Sequence, residues 1–131
     1  MKNSVKFVLV FLVGALAGVC AMSFFAKSVT EEKANSYYAI GLQNIEKDTE
    51  KAILMFVYSS TLKPGWYAPH LGMAQCFEKK KDYASAIQEY NKAISLREES
   101  ATALYENEKI SKTIERLKVE LDNQEIKEGK Q

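Results

Sequence analysis

The sequence predicts an all-α chain: two stacked helical hairpins, a long C-terminal helix that covers the stack, and a single transmembrane helix ahead of them. Three observations carry this. Residues 7–26 contain no charged side chain. From Thr49 to Leu96, small, aromatic and aliphatic residues recur at steps of three and four, the spacing of one helical face. The only prolines, Pro64 and Pro69, fall beside predicted helix ends.

The chain opens with a short tail, 1–6, followed by the apolar run 7–26. At about 1.5 Å per residue a helical run of this length spans a hydrocarbon core of about 30 Å. A secretory h-region is usually only about 7–15 residues, so length favours an uncleaved signal anchor. Two other readings stay open. Ala15-Leu16-Ala17 and Val19-Cys20-Ala21 offer small residues suited to a cleaved signal peptide. Leu16-Ala17-Gly18 approaches a lipoprotein signal, although Val19 intervenes before Cys20. Lys2 and Lys6 keep the tail cytoplasmic by the positive-inside rule, and the rest is then exported.

Residues 27–33 read as a polar tether, with Thr30 as N-cap and Glu31 and Glu32 in a first helical turn. Helix one is expected over Glu31–Ile45 and helix two over Thr49–Thr61, with Lys47-Asp48 in the turn. Pro64-Gly65 stops helix two. Helix three is expected over Ala68–Lys80 and helix four over Tyr83–Arg97, joined at Asp82. The intervening lysines 79–81 read as a solvated corner. Ser100 caps a final helix over Ala101–Glu128, and residues 129–131 are expected to fray as a disordered tail. In that helix Ile110, Ile114, Leu117 and Leu121 step by four, three and four, a narrow seam of about two heptads.

Met73-Ala74-x-x-Phe77 followed by Asp82-Tyr83-x-x-Ala86-Ile87-x-x-Tyr90-x-x-Ala93-Ile94-x-Leu96 resembles one tetratricopeptide repeat, a unit of about 34 residues. A second copy, Ala52-Ile53-x-x-Phe56-x-x-Ser59-x-x-Leu62-x-Pro64, precedes it at that period. In the earlier copy Gly41 lies one position from the expected small residue, which implies a one-residue deletion before the turn. The resemblance assigns 34–66 and 67–99 to repeats and 100–128 to a capping helix. His70 and Glu98 depart from the pattern, standing where a large hydrophobe and a closing proline are usual. The resemblance implies a concave groove lined by first helices, with Tyr37, Tyr38, Gly41, Leu71, Gln75, Lys79, Tyr105 and Lys109 as candidates. Each tyrosine, and Leu71 above all, has a competing reading as core packing; Trp66 is expected to pack between the hairpins. Some members hold a C-terminal carboxylate through lysine, arginine and asparagine. The matching positions here are Tyr37, Gly41, Gly72, Thr102 and Glu106, which offer no such clamp.

Composition argues against other classes. Charged residues make up 27% and the net charge is only +1, so there is no basic footprint for nucleic acid. His70 is the single histidine and has no carboxylate near it in sequence. One histidine with Cys20 and Cys76 gives no metal-ligand spacing, and the glycines form no phosphate loop. No catalytic residue, metal or cofactor is therefore expected. Cys76 reads as a small buried hydrophobe.

The expected function is a membrane-tethered adaptor, an accessory or assembly subunit of an envelope complex facing the periplasm. It would hold a protein partner through the groove or the terminal-helix seam. Alternatives are a soluble exported chaperone or binding protein after cleavage, an oligomerising structural protein, and an organelle import receptor. Tethering raises local concentration, so a weak groove suffices where the partner shares the membrane.

Overall fold

The computed structural model describes Met22 and residues 26–97 and 101–128. They form helices α1 (26–44), α2 (Thr49–Leu62), α3 (Ala68–Lys79), α4 (Tyr83–Leu96) and α5 (Ala101–Glu128), with no strand among the described residues. No helix in that set is long and apolar enough to cross a membrane. The span expected at 7–26 lies outside it, Met22 and Ala26 excepted. Ser100 as a cap, Glu98 and the 129–131 tail also lie outside it.

Neighbouring helices run antiparallel. Ala34 of α1 meets Ser59 of α2, whereas Ile45 near the end of α1 meets Thr49 at the start of α2. Tyr67 before α3 meets Arg97 just after α4, and Glu78 late in α3 meets Tyr90. Glu78 and Lys81 bond to Arg116 and Gln124 of α5, in rising order, so α5 runs parallel to α3.

The two hairpins are copies of one plan. Helices α2 and α4 start and stop 34 residues apart. Each begins on an aspartate whose carboxylate accepts a backbone N–H of the first turn: Asp48 from Lys51 at 3.0 Å and Asp82 from Ser85 at 3.2 Å. Such a cap contributes about 1 kcal/mol. The buried positions match as well: Ala52, Phe56 and Ser59 in α2, and Ala86, Tyr90 and Ala93 in α4.

Counted back from each capping aspartate, the hydrogen bond that closes the first turn spans one residue fewer than that of the second. After α3, the Lys81 N–H donates to Glu78 O at 2.9 Å and the Asp82 N–H to Phe77 O at 3.0 Å. This is a Schellman closure, and Lys81 takes the left-handed conformation it needs, φ 61°. In the first turn the Asp48 N–H reaches back only four residues, to Asn44 O at 2.8 Å. Lys81→Gly is expected to raise stability by about 0.5–1 kcal/mol, since glycine adopts φ > 0 without a Cβ penalty. Urea denaturation monitored by circular dichroism checks this.

Two expectations are corrected. Residues 27–33 are helical, an extension of α1 rather than a tether. Thr30 is inside that helix: its hydroxyl donates back to Lys27 O at 2.8 Å and Ala26 O at 3.2 Å. With neither glycine nor proline from 26 to 40, nothing starts the helix afresh at Thr30. The lysine corner is not merely solvated, because Lys79 pairs with Glu46 and Lys80 with Glu50, bridging the two hairpins at their turns.

The core has two lobes. Ala52, Phe56, Met73 and Cys76 make the first, with Tyr38 and Ile45 against it. Ala74, Ala86, Tyr90, Ile114 and Leu117 make the second, with Leu71 and Ile110 against it. Phe77 touches both lobes. Trp66 packs on Tyr38 of α1, ring centroids 4.7 Å apart, with Lys63 Nζ 5.0 Å from its own ring. The α2–α3 loop is thereby folded onto the first hairpin. Three of the four seam residues, Ile110, Ile114 and Leu117, are thus committed to the core, and Leu121 is half-buried. Arg97 locks α4 to its neighbours. Its guanidinium lies 4.3 Å from the Tyr67 ring centre, pairs with Glu106 and donates to the Tyr67 hydroxyl at 3.3 Å.

Candidate functional site

A cleft of about 580 Å³ opens between the end of α1, the C-terminal half of α3 and the middle of α5. Ile45 and Glu46 form one wall, Gln75, Glu78 and Lys79 the next, and Thr113 and Arg116 the third, with Tyr90 of α4 behind. Since α1, α3 and α5 run parallel, three helices present similar levels to one space. The i, i+3, i+4 spacing of Gln75, Glu78 and Lys79 turns all three to the same side.

Glu78 organises the polar lining. Its Oε1 accepts from Arg116 Nη2 at 2.5 Å and its Oε2 from the Tyr90 hydroxyl at 3.1 Å. That bond to Glu78 holds the Arg116 guanidinium above its ordinary value. Burial, with the Glu78 charge and hydrogen bond adding, pushes the Tyr90 phenol far above its ordinary value. Across the cleft Lys79 pairs with Glu46 and reaches Ile45 O at 3.4 Å. Thr113 turns its hydroxyl back to Lys109 O at 3.1 Å. The Gln75 amide is exposed and has no partner among the described residues. The lining is therefore charge-balanced, with one free amide that can both donate and accept.

Tyr90 gives the lining a signature at high pH. Its unperturbed value is 10.0 and its folded value is higher, so its contribution is present below pH 10 and fades as pH rises above it. Tyr90→Phe removes a donor from Glu78 and is expected to cost about 1 kcal/mol at neutral pH. The gap between wild type and variant should narrow above pH 10, which denaturation midpoints at pH 7, 9 and 11 will test.

Of the expected groove residues, Gln75 and Lys79 line the cleft. Gly41 does not: it is buried against Phe56, and an added Cβ would lie 2.6 Å from that ring. Tyr38 is held between Phe56 and Trp66, and Leu71 packs on the second core lobe. Tyr37 stacks on Tyr58 with centroids 5.4 Å apart. Lys109 is exposed beside the cleft, contributing its carbonyl to Thr113. The Tyr105 side chain lies outside the described set. Glu46, Glu78, Tyr90, Thr113 and Arg116 were not singled out from sequence as site residues. Glu78 could have been, since it shares a helical face with Gln75 and Lys79; Arg116 meets it from 38 residues away.

Elsewhere, His70 Nδ1 lies 2.7 Å from Glu89 Oε2, a spatial partner that sequence does not reveal. No hydroxyl or thiol bonds to either side chain among the described residues. Burial, reinforced by Glu46 and Glu50 and opposed by Lys79, pushes the Cys76 thiol up to about 11, a poor nucleophile at neutral pH. No group of three or more metal-ligating side chains comes together among the described residues. Comparison with protein-family models, with curated proteins and with solved structures finds no match.

Proposed function

We propose that the chain is a membrane-tethered adaptor of the tetratricopeptide type, which holds a protein partner in the cleft between α1, α3 and α5. The observation that carries this reading is the cleft itself, in which three parallel helices set paired charges and a free amide around an open space. The hairpin period of 34 and the matched aspartate caps support the repeat assignment. The uncharged run 7–26 supports the tether, with the helical domain exported beside the membrane.

The Gln75 amide suits a peptide unit, which also offers one donor and one acceptor. Arg116 and Lys79 can exchange their present carboxylates for those of a ligand at little net change in charge. Binding of this kind gives specificity without needing high affinity, because a shared membrane supplies the concentration.

Crosslinking in native membranes, followed by purification of the full chain, tests the proposal. A partner recovered with wild type should be reduced at least several-fold with Gln75→Ala or Arg116→Ala. Equal recovery from both variants excludes the cleft as the binding surface. A mature chain beginning near Gly18 or Met22 excludes the tether.

A further inference from the structure

The two hairpins provide an internal control for one surface. On α4 the outward positions are Gln88, Asn91 and Lys92, all exposed and polar. Thirty-four residues earlier, the equivalent positions of α2 are Leu54, Val57 and Tyr58, also exposed, at 47, 40 and 47%. The fold accepts polar residues there in α4, so folding does not require Leu54 and Val57 to be apolar, whereas the Tyr58 ring also stacks on Tyr37 of α1. Lys51 continues the stripe at helical spacing, and its ammonium has no partner among the described residues. Glu50 beside it is bonded to Lys80.

Helix α5 carries the complement. Ile110, Ile114 and Leu117 face the core. Its large exposed apolar residues, Leu104, Val119 and Ile126, lie on the opposite side at a period of 3.6. Glu115, one oxygen of which accepts from Lys118 at 2.8 Å, and Asp122 share that side. Lys51 to Tyr58 and Glu115 to Asp122 each cover about 10 Å of helix.

We propose that the outer face of α2 in one copy docks on the outer face of α5 in a second copy. The helices meet antiparallel, with Asp122 against Lys51, Val119 against Leu54, and Glu115 accepting from the Tyr58 hydroxyl. Orientation favours this pairing. Within one chain α2 runs opposite to α1 and α3, and α5 runs with them. Copies standing side by side in one membrane orientation therefore keep α2 of one and α5 of the other antiparallel. Each copy offers α2 to one neighbour and α5 to another, so the contact is heterologous and builds rows or rings.

The union is small, and its apolar side chains fall well short of the about 800 Å² per partner of a stable complex. Its strength, and the shared orientation of the copies, therefore rest on the membrane tether proposed above.

The test mixes full-length copies of natural and heavy nitrogen in phospholipid vesicles and applies a zero-length amine–carboxylate crosslinker. Mass spectrometry should find Lys51 joined to Asp122 with one label from each copy. Energy transfer between dyes on Gln131 should fall several-fold for Lys51→Glu alone and for Asp122→Lys alone, and return when the two variants are mixed. Both substitutions are on exposed positions, and helical content checks that they fold. Absence of mixed-label crosslinks in floated vesicles, or no recovery on mixing, overturns the proposal. Shielding of Leu54 and Tyr58 by vesicles without such crosslinks assigns the face to lipid instead. Flotation reports the tether separately: a chain that fails to float overturns the tether, and crosslinking at millimolar concentration in solution then decides the docking.

Discussion

Phe56→Ala is expected to lower stability by about 3–5 kcal/mol, a large part of the 5–15 kcal/mol available to a domain of this size. The ring is fully buried where α1, α2 and α3 meet. It is flanked by Gly41 of α1 and Gly72 of α3, and a Cβ on either would stand 2.6 or 2.5 Å from it. Tyr38, at 5.7 Å between centroids, closes a third side. The two glycines therefore act by absence, letting the two helices approach the same ring. Gly72→Ala gains about 1 kcal/mol of helix propensity and loses about 1–3 kcal/mol to overpacking, for a net loss. Phe56→Leu shortens the ring side chain and leaves room for that methyl. The double variant Phe56→Leu, Gly72→Ala should consequently be more stable than the sum of the single effects, by at least about 0.5 kcal/mol. Urea melts of all four chains give the coupling directly; strict additivity would mean that ring and glycine do not oppose each other.

This joint also marks the limit of what the residues disclose on their own. The bounds of α2, α3, α4 and α5 follow from periodicity, the aspartates and the prolines to within one residue. Gly41 was different. A glycine adds nothing to a hydrophobic pattern, so its helix does not reveal whether it faces a groove or a neighbouring ring. The bonds that build the cleft and its surroundings are non-local too. Arg116 to Glu78 and His70 to Glu89 join residues 38 and 19 apart, and no local spacing encodes either. The seam on α5 was legible as an apolar stripe, but a stripe specifies only that something covers it. Here α3 and α4 of the same chain do so.

Leu117→Ala is expected to cost about 2–5 kcal/mol and to loosen α5 from the hairpins. Leu117 is fully buried, packed in the lobe that holds Ala74, Ala86, Tyr90 and Ile114. Arg116 beside it carries the only hydrogen bond from α5 to Glu78 among the described residues. Loss of packing at Leu117 should therefore also open the third wall of the cleft, and Glu78 would keep only Tyr90. Val119→Ala is the matched control, two residues on and 60% exposed on the far side of the helix. It should change stability by no more than about 0.5 kcal/mol. Urea denaturation of residues 27–131, with hydrogen exchange to locate the loss, separates the cases. Faster exchange across α5 and at Glu78 in the first variant alone fits an intramolecular seam. If instead Leu117→Ala dissociates an oligomer while leaving monomer stability unchanged, the seam belongs to a subunit contact.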